Sequence, residues 1–117
     1  MATLRTPETQ AKYHDQKLLK REQGICAMCK REDAIKEFEH WKVLENLFPY
    51  DKIAKMNHLL VTKKHLTEIE VPPEAWEEFR ETKKNFIAEN YDCILENMPK
   101  AMTIPAHFHI HLIVFKD

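Results

Sequence analysis

The sequence predicts an α+β domain: an antiparallel sheet of about five short strands, one main packed helix and a second helix at the N-terminus. Three observations lead there. The stretch after Pro72-Pro73-Glu74 carries Trp76, Phe79, Lys83, Phe86, Ile87 and Tyr91 near helical spacing, an apolar stripe suited to covering a sheet. Several other apolar runs have strand length and are separated by Asn- and Pro-marked breaks. With 117 residues, 44% hydrophobic and 32% charged, the chain fits one domain with a real core.

In chain order, Thr6-Pro7-Glu8 supplies a capping residue, a proline at the first helical position and an early acid. The helix it opens runs to about Gln23, with Leu4, Ala11 and Leu18 as its regular apolar beat, and Gly24 ends it. So polar a helix is expected to stand mostly in solvent or to pack on a partner subunit. "GICAMCKRED" forms a compact turn region, and "IKEFEHWKVLENL" alternates apolar and charged residues as two short strands or a hairpin do. "FPYDKIAKMN" reads as a loop, "HLLVT" (58–62) as a strand, and residues 72 to about 90 as the main helix. "DCILEN" (92–97) is a strand, "MPKAMTIPA" a loop, and "HFHIHLIVF" (107–115) the last strand. Short antiparallel strands with one packed helix make a meander.

Charge is balanced, 18 Lys+Arg against 19 Asp+Glu, so no basic field points to a nucleic-acid polymer. No apolar run reaches the roughly 18 residues of a membrane span, and "MATLRTPETQ" lacks the apolar core of a signal peptide, so the expected location is cytoplasmic. The only glycine is Gly24, which excludes glycine-rich phosphate loops.

Chemistry concentrates in two places. In a strand, His107, His109 and His111 would share one face, about 6.6 Å apart from one to the next. Phe108, Ile110, Leu112 and Val114 would line the other, core-facing side, so the histidine face is not expected to be core. Such a row could chelate a metal. Alternatively the middle imidazole could attack phosphorus, provided its other nitrogen is held in the right tautomer and donors cover the phosphate oxygens. Cys26 and Cys29, spaced Cys-x-x-Cys, could bind zinc, form a redox pair or simply pack. Cys93 lies in a predicted strand as a core residue. Trp41 and Trp76 suit a core or a dimer contact, and Lys63 and Lys64 an exposed turn able to attract anions.

"HFHIHLI" resembles the His–φ–His–φ–His–φ–φ signature of the histidine-triad (HIT) superfamily of nucleotide hydrolases and transferases. Other segments agree in order. "CAMC" is similar to the Cys-x-x-Cys of its zinc-bearing members, and "NLFPY" followed by "HLLVTKKH" to its Asn-x-Tyr-Pro-Tyr loop and the strand after it. "ILEN" stands where that family ends a strand on a nucleotide-contacting asparagine. The likeness spans residues 26 to 115 and implies a HIT-like domain over 25–117 behind an N-terminal helical extension, 1–24.

The resemblance implies that His109 is the nucleophile and that His111 hydrogen-bonds a phosphate oxygen. It implies that Asn97 contacts phosphate or leaving group, and Asn46 the ribose side. Thr103 stands where relatives carry a leaving-group contact, in a loop with Pro99 and Pro105 in place of glycines. Cys26, Cys29, His65 and His107 would form a structural Cys2His2 zinc site, with His58 and His40 as other candidates for the third ligand. The implied activity is hydrolysis or transfer of a nucleoside monophosphate through a nucleotidyl-histidine intermediate. Its donor would be a dinucleoside polyphosphate, a nucleoside phosphoramidate or a nucleotide sugar, and the implied assembly is a homodimer. A non-catalytic nucleotide-binding module and a metalloprotein using all three strand histidines are the alternatives.

Overall fold

The computed structural model describes residues 3–23, 26, 28–101 and 106–117, with the backbone alone for 16–23 and 99. It is α+β, with five antiparallel strands in one sheet. The strands are β1 (Lys36–Glu37), β2 (Trp41–Glu45), β3 (Ala54–Thr62), β4 (Cys93–Leu95) and β5 (His109–Phe115). The helices are α1 (Pro7–Gln23) and α2 (Pro73–Thr82), the latter continuing through a π turn at Lys83–Ile87 to Asn90. Among the described residues no helix is long and apolar enough to cross a membrane.

The sheet order is β1-β2-β3-β5-β4, so it departs from the predicted meander at one point: the last strand inserts between β3 and β4. The reason is burial. β5 is covered on both faces from His109 to Ile113, and a strand of that kind belongs in the middle of a sheet. The exposed Lys36–Glu37 pair and the three-residue β4 are left as short edges. β3 is also longer than "HLLVT" suggested. It begins at Ala54, because residues 54–57 pair with Phe115 to Ile113 across a register shift.

One face of the sheet packs on α2. Trp41, Val43, Leu60, Ile110 and Leu112 from the strands, with Phe108 just before β5, meet Val71, Ala75 and Ile87, with Trp76, Phe79, Phe86 and Tyr91 at the margin. Trp41 is therefore a core residue, and Trp76 packs half-buried against it. The Trp41 indole nitrogen donates to the Ala75 carbonyl at 2.8 Å, and the Glu78 carboxylate accepts from the Glu39 and His40 backbone N–H groups. The helix thus holds the β1–β2 turn as well as the sheet. Lys83, counted in the stripe by its spacing, is exposed, and Thr82 is buried in its place. The extra residue of the π turn then brings both Phe86 and Ile87 to the core.

The opposite face carries the histidines, and it is buried. Met28 closes over Leu44, Leu59 and Val61 at one end, while Tyr50, Ala54 and Ile113 pack at the other. The residues leading into α1 and one side of its first turns add to this cover, while Pro7, Glu8, Ala11, Lys12, His14 and Asp15 stand in solvent as expected of so polar a helix. The Lys52 N–H donates to the Leu4 carbonyl, and the Thr6 N–H and hydroxyl and the Thr9 hydroxyl donate to the Asp51 carboxylate. Asp51, from another part of the chain, thereby occupies the start of α1, where donors are otherwise orphaned. The packing face runs through Arg5, Thr6, Thr9 and Tyr13; Leu4 and Ala11 of the predicted apolar beat are exposed.

Candidate functional site

Three histidines do come together, but not as one row. β5 begins at His109, so His107 lies in the bend before the strand and its ring turns another way. His107, His109 and His111 are 0%, 5% and 3% exposed, which corrects the expectation that their face lies outside the core. Burial on this scale requires every polar ring nitrogen to be accounted for, and the accounting separates the three.

The His107 Nε2 lies 2.7 Å from the Thr62 carbonyl oxygen. A carbonyl only accepts, so Nε2 carries the hydrogen and Nδ1 presents a lone pair. That lone pair faces Cys26 Sγ at 3.5 Å and Cys29 Sγ at 3.4 Å, and Cys29 Sγ lies 3.1 Å from His65 Nδ1. All four ligand atoms fall within 4.8 Å of one another. In a tetrahedral zinc site the N and S ligand atoms stand about 3.6 Å apart, given bonds of about 2.0–2.1 and 2.3 Å. The cluster is close to that size, and its Cys2His2 chemistry and second-layer carbonyl suit such an ion. His65 is the histidine the fold delivers here. His58 instead bonds the Tyr91 hydroxyl at 2.6 Å, and His40 lies beside Glu39.

The His109 Nδ1 lies 3.0 Å from the His107 carbonyl oxygen, so Nδ1 donates and Nε2 is left as an unprotonated lone pair. His111 is held in the opposite sense. The Tyr50 N–H donates to Asn57 Oδ1 at 3.0 Å, which fixes which end of that amide is oxygen. Asn57 Nδ2 therefore donates, to the His58 carbonyl at 3.1 Å and to His111 Nδ1 at 3.4 Å. His111 Nδ1 accepts, and its hydrogen sits on Nε2. Neighbouring imidazoles, with ring centroids 5.7 Å apart, thus present one nucleophilic and one donating Nε2.

Burial depresses the pKa of all three histidines. His111 goes furthest, pushed down to about 3 by burial first and then by His109 and the Arg5 charge. A histidine neutral in the fold and protonated in the unfolded chain takes up protons on unfolding below the ordinary value of 6.5. Stability from this group is therefore complete above that pH and falls as the solution is acidified. The expected loss is about 2 kcal/mol between pH 7 and pH 5. Urea denaturation of the native protein and His111→Gln at both pH values isolates this loss from that of the Cys26, Cys29, His65 and His107 cluster; equal pH slopes in the two would refute it.

Asn97 and Tyr50 complete the surroundings. The Asn97 amide donates to the Tyr50 hydroxyl at 2.8 Å, and the Tyr50 ring stacks on His111 with centroids 4.3 Å apart. Asn46 sits beneath: its Oδ1 accepts from the Phe48 N–H and its Nδ2 donates to Asn57 Oδ1. It is 8% exposed and holds Asn57 in place. Thr103 lies outside the described residues. Lys63 is 3.7 Å from Glu37 on the surface. Asn57 and Arg5 were not singled out by sequence reasoning, and Tyr50 entered only as the last residue of "NLFPY"; Asn57 fell in a stretch that reads as a loop.

No protein-family model matches the chain, and no curated protein matches it. Among solved structures, the crystal structure of HTC1 superposes over 97% of this chain and 76% of that one, with a TM-score of 0.53 and 17% identity. That likeness concerns the fold alone.

Proposed function

We propose that this protein belongs with the histidine-triad enzymes and transfers or hydrolyses a nucleoside monophosphate through a covalent intermediate on His109. The observation that carries the reading is the pair of opposed tautomers: a lone pair on His109 Nε2 beside an N–H on His111 Nε2. Attack on phosphorus needs both, the first to form the bond and the second to hold a non-bridging oxygen as negative charge builds. The His109 Nε2–P bond forms as the bond from phosphorus to the leaving group breaks, and the leaving group departs with that electron pair. Water, or another acceptor, then displaces His109 and restores it neutral. The His107 carbonyl stabilises the positive charge on the His109 ring between these steps. Asn97, through Tyr50, keeps the ring of His111 in place.

The donor would be a dinucleoside polyphosphate, a nucleoside phosphoramidate or a nucleotide sugar, and the assembly a homodimer. Cys26, Cys29, His65 and His107 would hold zinc. With four protein ligands the ion would serve structure, fixing the segment that carries His109.

Near-complete burial of His109 and His111 favours a second reading, a non-catalytic nucleotide-binding module. The three-histidine chelate has no such support, because His107 faces the cysteines while Nδ1 of His109 is engaged by a carbonyl. Mass spectrometry after brief incubation with an adenosine phosphoramidate or a dinucleoside polyphosphate, held above neutral pH, distinguishes the two. A nucleoside monophosphate adduct in the native protein and none in His109→Ala is expected. AMP binding without adduct or turnover would select the binding module.

A further inference from the structure

The N-terminal segment brings a side chain to the triad that none of the roles above uses. Arg5 is 6% exposed. Its guanidinium is sandwiched between the Tyr13 ring, 4.1 Å from the centroid, and the Tyr50 ring at 4.7 Å. Tyr50 is also the residue stacked on His111, and the Arg5 charge is felt by both His109 and His111. The side chain makes one hydrogen bond, from Nε to the Phe48 carbonyl at 2.6 Å. The two terminal nitrogens of the fork have no hydrogen-bond partner, and no carboxylate lies within ion-pair distance, among the described residues. Asp51, three residues after Phe48, is hydrogen-bonded by Thr6 and Thr9.

A buried charge without a counter-charge is costly, and proteins keep such groups paired. Here the two tyrosine faces and the more distant Asp51 carboxylate offset that cost only in part, because burial still pulls the Arg5 pKa down. His109 and His111 are neutral, and the positive field of Arg5 is among the influences that keep them so. The missing partner is an anion. A planar fork with two open N–H groups suits a tetrahedral oxyanion bound through two oxygens. The stack between two tyrosines and the bond to Phe48 hold that fork in place before any ligand arrives.

We infer that Arg5 is a substrate-binding residue whose guanidinium holds phosphate oxygens of a ligand seated on His109 and His111; that the anion is a nucleotide phosphate rests on the function proposed above. The N-terminal segment is then part of the binding site. It supplies a full positive charge there, complementing the neutral donor on His111.

Calorimetric titration with AMP, adenosine and inorganic pyrophosphate tests this on the native protein, Arg5→Met and Arg5→Lys. Losing one charge-assisted fork should weaken AMP and pyrophosphate roughly tenfold or more in Arg5→Met, with adenosine unchanged. Equal anion affinities in native protein and Arg5→Met would overturn the inference, as would failure of the native protein to bind either anion. A parallel fall in adenosine affinity would do so too, showing that Arg5 only shapes the pocket. Should Arg5→Met not fold, Arg5→Lys decides on the same ratio of anion to adenosine affinity. Binding of pyrophosphate that depends on Arg5, with no affinity for adenosine and no adduct on His109, would leave the inference standing and remove the nucleotide reading.

Discussion

Stripping metal from the Cys26, Cys29, His65 and His107 cluster is expected to lower the unfolding temperature by about 20 °C, corresponding to about 5 kcal/mol for a chain of this size. The argument rests on what else holds the segment. Met28 packs on Leu44, Leu59 and Val61, yet Cys29 is exposed and the described hydrogen bonds tying residues 26–34 to the sheet are few. They include the Arg31 guanidinium on the Glu45 carbonyl and the Lys42 ammonium on the Arg31 carbonyl. A metal would tie this segment to Leu66's neighbour His65 and to His107, closing long loops that are otherwise costly in chain entropy. Without it, burial and then the neighbouring Cys26 push the Cys29 thiol up, away from the thiolate that binds metal. An ion reverses that preference by its own charge. Thermal unfolding with and without a strong chelator, alongside metal analysis, measures the effect. One zinc per chain, lost in Cys29→Ser with the same fall in unfolding temperature, is the expected result. A purified protein without metal, or an unfolding temperature indifferent to chelation, would end the zinc reading.

The same cluster bears on the triad through one carbonyl. The His107 ring faces the cysteines while the His107 carbonyl accepts from His109 Nδ1. Fixing the ring therefore also fixes the acceptor that sets the His109 tautomer. Outer partners of this kind orient a site without touching the reacting atoms.

What was legible in the sequence was local. Helix α2 announced itself through two prolines and a stripe of aromatics, and the β1–β2 hairpin through alternation. Periodicity cannot show which strand becomes the neighbour of which, so the insertion of β5 beside β3 was missed. Cys26, Cys29 and His107 were legible as ligand types, but His65 was preferred to His58 and His40 on the resemblance alone. Only the turn after β3 decides among them, by presenting His65 to Cys29. Tautomers were the least legible of all. They depend on Thr62, His107 and Asn57 as hydrogen-bond partners, and those contacts span as many as 54 positions of chain. Arg5 was hidden for a related reason. In a polar N-terminal stretch nothing marks one cation for burial until Tyr13 and Tyr50 close on it.

Replacing His109 by Ala should abolish turnover, with kcat/KM falling on the order of 10⁴-fold or more. The loss should lie in kcat, because the ground-state contacts on the phosphate belong to other residues. His111→Gln should do less. It removes one donor from a non-bridging oxygen, a loss of about 10²–10³-fold for a contact that strengthens as charge develops. The order of the two effects distinguishes chemistry from architecture. Both imidazoles are buried in the same sheet, so a merely structural contribution would make the two variants similar in rate and in stability. If His109→Ala kept a tenth of native turnover, covalent catalysis at that nitrogen would be untenable. If His111→Gln proved the more damaging, the opposed tautomers would have been assigned the wrong tasks. Steady-state kinetics on the two variants, with circular dichroism to confirm folding, is enough to tell these outcomes apart.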